Sequence, residues 1–130
     1  MSAIRVLFIE DSQDDVFLAE HCLLNAGLEV DALTVQDERG LRDALCSWAP
    51  DLIVSDFAMP RLDGVKAFNI AHALAPSTPF LFRSGGVCGR QAQEAISRGA
   101  VGFVEKEDQG EFIRLVTSAV ERGEVKLRPT

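Results

Sequence analysis

Cysteine is scarce, and what there is forms no pattern. Cys22, Cys46 and Cys88 are odd in number and widely spaced, with no CxxC and no metal-ligand spacing. Reduced thiols in a cytosolic protein are therefore expected, with Cys88 a weak candidate for a redox sensor in a loop. Histidine is scarcer still. His21 and His72 each sit in a helical pattern with no second ligand at i+4, which makes them surface or satisfied histidines rather than metal ligands or phosphohistidines. No apolar run approaches the roughly 20 residues that cross a bilayer. The opening Met1-Ser2-Ala3-Ile4-Arg5 runs straight into a strand pattern and lacks the shape of a signal peptide. Positive charge is in the minority, 13 Lys and Arg against 20 Asp and Glu. The net charge of −7 argues against nucleic acid as a direct partner. There is no internal repeat, no low-complexity segment, no interdomain linker and no GxxxxGK.

What is present suits one domain with a proper core: 130 residues, 47% of them hydrophobic. The chain is organised around residues 51–64. Leu52, Ile53 and Val54 read as a strand buried on both faces, as in the middle of a parallel sheet. That run stops at an acid, Asp56. Pro60, Asp63 and Gly64 then turn the chain, and a helical pattern follows. A lone Asp at such a place is most simply a strand-end cap. Glu10 and Asp11, however, close the first strand in the same way. Three carboxyl groups at the carboxyl ends of two apolar strands repel one another unless a cation sits between them. Oxygen ligands with no Cys or His nearby favour a hard ion, Mg²⁺ before Ca²⁺.

Taken in order, residues 4–9 form strand one. Ser12 caps helix one, with Asp15 as its partner in a variant capping box. That helix buries Val16, Ala19, Cys22, Leu23 and Ala26, and Gly27 stops it. Strand two is 30–35. Asp37 caps helix two, with Leu41, Ala44, Leu45 and Trp48 inward. Strand three carries Asp56. Asp63 caps helix three, with Val65, Phe68, Ala71 and Leu74 inward. Strand four is 79–84. Helix four, about 90–98, uses Ala92, Ala95 and Ile96. Strand five, 101–105, ends at Lys106. Helix five, about 111–121, buries Phe112, Leu115, Val116, Ala119 and Val120. The domain is expected over 1–122, with 123–130 a frayed tail. Strands separated by helices of this length give right-handed crossovers and a parallel sheet. Glu10, Asp11, Asp56, Ser84 and Lys106 all fall at strand carboxyl ends, the edge where open parallel sheets bind ligands.

In this arrangement the chain resembles the receiver domain of two-component response regulators. The markers are Glu10-Asp11 after strand one, Asp56 followed by Met59-Pro60 and Asp63-Gly64, and Ser84 after strand four. Gly99-Ala100 before strand five and Phe103 with Lys106 at its end complete the set. Each marker alone is weak, but the ordered set is strong. The resemblance implies an α/β flavodoxin-like fold, a five-stranded parallel sheet of order 2-1-3-4-5 with helices on both faces. It implies that Asp56 accepts a phosphoryl group. It implies that Glu10, Asp11, Asp56 and the backbone carbonyl of Ala58 hold Mg²⁺. Ser84 and Lys106 would contact the phosphoryl group, and Ser84 and Phe103 would switch the helix four, strand five, helix five face. The implied partners are a histidine kinase or histidine phosphotransfer protein upstream and a protein reading that face downstream. No direct nucleic acid and no membrane contact are expected.

The chain also departs from the family pattern. Glu10 stands where Asp is usual, Glu107 where Pro is common, and Arg83 where an apolar residue is usual. A charge in a central strand needs a partner or a route to water. Ala58 and Gly86 are small, so the acceptor is expected to lie open to water and to a partner's residues. The expected role is a signalling switch that catalyses only its own phosphorylation and dephosphorylation. The main alternative is a phosphorylation-independent, receiver-like binding module. A phosphatase on the same fold would want an acid at Ala58. A nucleotide or flavin binder would not place Glu10-Asp11-Ser12 in its first loop. Two forms fit, a complete single-domain regulator, as in chemotaxis, or a receiver of a longer protein such as a hybrid kinase. The start at Met1 leans to the former.

Overall fold

Alternation along the strands splits the core in two. The computed structural model describes residues 2–57, 59–85, 89–125 and 128–129. Its elements run β1 (Ser2–Ile9), α1 (Gln13–Asn25), β2 (Glu29–Val35), α2 (Glu38–Ser47), β3 (Leu52–Ser55), α3 (Gly64–Leu74), β4 (Phe80–Ser84), α4 (Gly89–Ser97), β5 (Gly102–Glu105), α5 (Gln109–Glu121) and β6 (Arg128–Pro129). Five parallel strands lie in the order β2-β1-β3-β4-β5, as the alternation of strands and helices predicts. Ile4, Val6, Phe8, Leu52, Val54 and Leu81 point to one face and pack with Val16, Leu23, Phe112 and Val116 of α1 and α5. Leu7, Ile9, Ile53, Phe80 and Phe82 point to the other and pack with Leu41, Phe68, Ala71 and Ala95 of α2, α3 and α4. Both faces of β3 and β4 are thus covered, which is why Leu52–Val54 and Phe80–Phe82 read as apolar runs.

The helix caps follow the sequence. Ser12, Asp37 and Asp63 each accept a backbone N–H three residues on. Asp108 does the same for α5. Gly27 and Gly99 adopt positive φ past the ends of α1 and α4.

Some inward assignments do not hold. Ala26 is exposed, as the residue that ends α1. Leu74 and Ile96 are 45% and 40% exposed. On α3 the buried face runs through Ala67, Phe68, Ile70 and Ala71, so Leu74 falls on the last turn beyond the sheet. The last residues are also more engaged than fraying implies. Val125 is buried against the α1 and α5 core, and Arg128–Pro129 pairs antiparallel with Ser2 and Ala3. Ala58, Gly86 and Cys88 lie outside the described residues, as does the side chain of Ala92, so the readings placed on them have no structural counterpart. No helix among the described residues is long and apolar enough to cross a membrane.

Candidate functional site

Three backbone hydrogen bonds extend the sheet past its strands and set the edge of the site. Glu10 N–H donates to the Val35 carbonyl at 3.1 Å, and Asp56 N–H to Ile9 at 2.9 Å. Lys106 N–H donates to Ser84 at 2.8 Å. The side chains of Glu10, Asp56 and Lys106 therefore start from rigid, sheet-bonded backbone.

Glu10, Asp11 and Asp56 each place a carboxylate oxygen so that all three lie within 4.8 Å of one another. Glu10 and Asp56 are buried, while Asp11 is exposed. The longer arm of Glu10 folds back. Its Oε2 accepts the backbone N–H groups of Asp11 at 3.1 Å and Ser12 at 3.3 Å. Asp56 Oδ1 accepts the Phe57 N–H at 2.7 Å. Burial pushes the Glu10 carboxyl above its usual pKa, and the charge of Asp56 adds to that, against the opposing pull of Lys106.

Lys106 is the cation of the site. Its Nζ lies 2.7 Å from Glu10 Oε1, 2.5 Å from Asp15 Oδ2 and 3.2 Å from Asp56 Oδ2. Burial alone would lower the lysine pKa. The hydrogen bonds to Asp15 and Glu10, with the charges of Glu10 and Asp56, outweigh burial and hold it above its usual value. Lys106 is thus a fixed positive charge at any ordinary pH.

Ser84 is buried at the end of β4, paired in register with Glu105 on β5. Phe103 is half-buried on β5 and packs edge-on against Phe57, the residue after Asp56, at 6.2 Å between ring centres. Arg83 is buried, and the structure supplies the partners that sequence could not name. The strand alternation sends it to the α1 and α5 face. There its Nη1 donates to the Asp15 carbonyl at 3.3 Å, and its guanidinium lies over the Phe112 ring at 5.3 Å. Burial pulls its pKa down, and Asp15, Cys22, Glu10 and Asp56 pull it back up.

Sequence reasoning missed Asp15. Read as a capping-box partner, it would return its carboxylate to Ser12 N–H. Instead Glu10 takes that N–H and Asp15 turns to Lys106. The available signal was position: Asp15 lies in the first turn of the helix that starts right after Glu10 and Asp11, at the same sheet edge.

A family model described as the response regulator receiver domain matches residues 6–117. The chain belongs to the response regulator receiver family. Among curated proteins, this receiver is 32% identical over 110 residues to protein-glutamate methylesterase/protein-glutamine glutaminase 6 of Anaeromyxobacter dehalogenans (strain 2CP-C). That alignment covers 82% of this chain and 30% of the relative. It is also 32% identical over 131 residues to the C4-dicarboxylate transport transcriptional regulatory protein DctD of Rhizobium meliloti (strain 1021), covering 98% of this chain and 27% of that protein. The receiver spans under a third of both relatives, so their activities as whole proteins do not transfer to it. Among solved structures, the signal receiver domain of an HD domain-containing protein from Pseudomonas fluorescens Pf-5 matches with a TM-score of 0.81 at 20% identity. It covers 95% of this chain and 99% of that one, a likeness of fold.

Proposed function

We propose that this receiver takes a phosphoryl group from a phosphohistidine onto Asp56, with Mg²⁺, and that the acyl phosphate switches the α4, β5, α5 face. The observation that supports it most is the Lys106 ammonium, sheet-anchored and held within 3.2 Å of Asp56 beside the three-carboxylate cluster.

The donor set fits a hard divalent ion. Three carboxylates converge, and the cluster contains no His or Cys. Glu10, Asp11 and Asp56 would hold the ion, with the Ala58 carbonyl as a further ligand. When bound, Mg²⁺ offsets the charge of phosphoryl oxygens approaching an acidic site. The rest falls to the chain. An Asp56 Oδ attacks phosphorus in line with the leaving imidazole. The P–O bond forms, the P–N bond breaks, and the imidazole takes its proton from water. Lys106 meets the charge on the phosphoryl oxygens, and Ser84 Oγ donates to one of them. Positioning and charge supply most of the rate.

The product places about 1.5 to 2 negative charges on the phosphoryl group, where the Asp56 carboxylate had carried one. Ser84 is drawn toward that charge. Phe103, half-buried against Phe57, turns inward in response. The upstream partner is a histidine kinase or histidine phosphotransfer protein, and a downstream protein reads the altered face.

The test is intact mass after incubation with Mg²⁺ and acetyl phosphate. The reading expects a gain of one phosphoryl mass, abolished by EDTA and absent in Asp56→Asn. No gain in a folded protein that binds Mg²⁺ would move the assignment to the phosphorylation-independent binding module.

A further inference from the structure

The three carboxylates that grip Lys106 are not equivalent. Glu10 and Asp56 also belong to the acidic cluster, whereas Asp15 does not. Asp15 makes the shortest contact with the ammonium, at 2.5 Å, and Asp56 the longest, at 3.2 Å. Asp15 is also held on both sides through its backbone. Its N–H donates to Ser12 Oγ at 3.3 Å, and its carbonyl accepts from Arg83 Nη1 at 3.3 Å. Arg83 is buried in β4 under the Phe112 ring, so Asp15 is tied to the sheet rather than riding on a loose helix end.

We propose that Asp15 is a positioning residue of the phosphoacceptor site, keeping the Lys106 ammonium beside Asp56 when Glu10 and Asp56 share their charge with a cation. The proposal rests on the functional reading above and adds a residue to it. A lysine is a compact charge on a flexible stem with large rotamer freedom. A cation held by Glu10 and Asp56 weakens two of its three anchors. The third, on α1, is untouched. Without it the ammonium drifts toward water, and the charge that transfer relies on is no longer pre-placed. The buried Arg83 has a role in the same scheme. It fixes the backbone of Asp15, and the Asp15 charge helps keep that arginine ionised in the sheet.

The test compares the parent with Asp15→Ala and Asp15→Glu by two readouts. The first needs no metal and no phosphodonor. Lys106 acylation by an amine-reactive ester is followed by peptide mass, with Lys66, whose side chain is 60% exposed, as the internal reference. The parent protects Lys106, Asp15→Ala loses the protection, and Asp15→Glu regains it. The second is phosphoryl uptake from acetyl phosphate at saturating Mg²⁺. Asp15→Ala is slower by about tenfold while still folded by circular dichroism, and Asp15→Glu recovers part of the rate. Retained Lys106 protection in Asp15→Ala, or uptake at or above the parent rate, overturns the proposal and leaves the reading of Asp56 standing. A parent that takes up no phosphoryl group sinks that reading, and the positioning role with it.

Discussion

Phe57 ties Asp56 to Phe103. Its N–H donates to Asp56 Oδ1 at 2.7 Å, and its ring meets Phe103 edge-on at 6.2 Å. A change at the Asp56 carboxylate therefore reaches the β5 aromatic through one residue. Phe103→Ala should keep Asp56 reactive while removing the side chain that answers. Phosphoryl uptake stays near the parent rate, and the stability cost is about 1–2 kcal/mol, below that of a fully buried Phe. Amide exchange across α4, β5 and α5, compared with and without phosphodonor, should show a difference in the parent that shrinks in the variant. An undiminished difference would remove Phe103 from the switch.

Gly64 opens α3 where the chain returns from the loop after Asp56. A Cβ there would lie 2.8 Å from Phe57 Cα and 2.9 Å from its carbonyl oxygen, both backbone atoms, and 3.0 Å from the Phe82 ring. The Gly64 N–H also donates to that carbonyl at 2.8 Å. Gly64→Ala is expected to lower stability by about 1–3 kcal/mol, because neither backbone nor core ring yields easily. Urea denaturation measures it. Parent-like stability would mean that the loop has slack.

Without metal, the acidic cluster costs stability. Asp56→Asn removes one like charge, and the contact it gives up is the weakest of the three made by Lys106. Repulsion should win. The variant is expected to melt roughly 3–5 °C higher in EDTA, about 1 kcal/mol. Mg²⁺ should raise the melting temperature of the parent and do so far less for Asp11→Asn. A lower melting temperature for Asp56→Asn in EDTA would show that Lys106 compensates the cluster fully.

Glu38 joins α2 to α3. It pairs with Arg42 on its own helix and with Lys66 at 3.0 Å across to α3. The hydrogen bond from Arg42, then the hydrogen bond and charge of Lys66, hold the Glu38 pKa below its usual value. A depressed carboxyl stabilises above the unfolded pKa and loses that contribution as pH falls through the folded one. The stability gap between the parent and Glu38→Gln should therefore be small at neutral pH, since the pair is solvent-exposed, and should close in acid. Urea midpoints at several pH values test this, and a gap that widens in acid would reverse the assignment.

Much of the fold was legible because its signals are local. The Leu52–Val54 run, the acid that ends it, the caps Ser12, Asp37 and Asp63, and the stop at Gly27 each depend on near neighbours. The acidic cluster was legible because strand ends in a parallel sheet share one edge, so Glu10, Asp11 and Asp56 converge despite their separation in sequence. Asp15 was not. Cap logic assigns it a local partner, while its actual partner, Lys106, is 91 residues away. Arg83 looked out of place for the same reason, since its relief comes from the α1 carbonyl and a ring on α5. Leu74 and Ile96 fit a helical period but lie 45% and 40% exposed, and period alone does not report that. Val125 shows the converse: without periodicity, it is buried against the α1 and α5 core.

The central claim is that Asp56 carries the phosphoryl group. Borohydride reduction of the phosphorylated protein converts an acyl phosphate to an alcohol, and peptide mass then locates the residue. The account predicts homoserine at position 56, formed only when both Mg²⁺ and phosphodonor were present. Reduction at another carboxylate, or none in a protein that has gained phosphoryl mass, would contradict it.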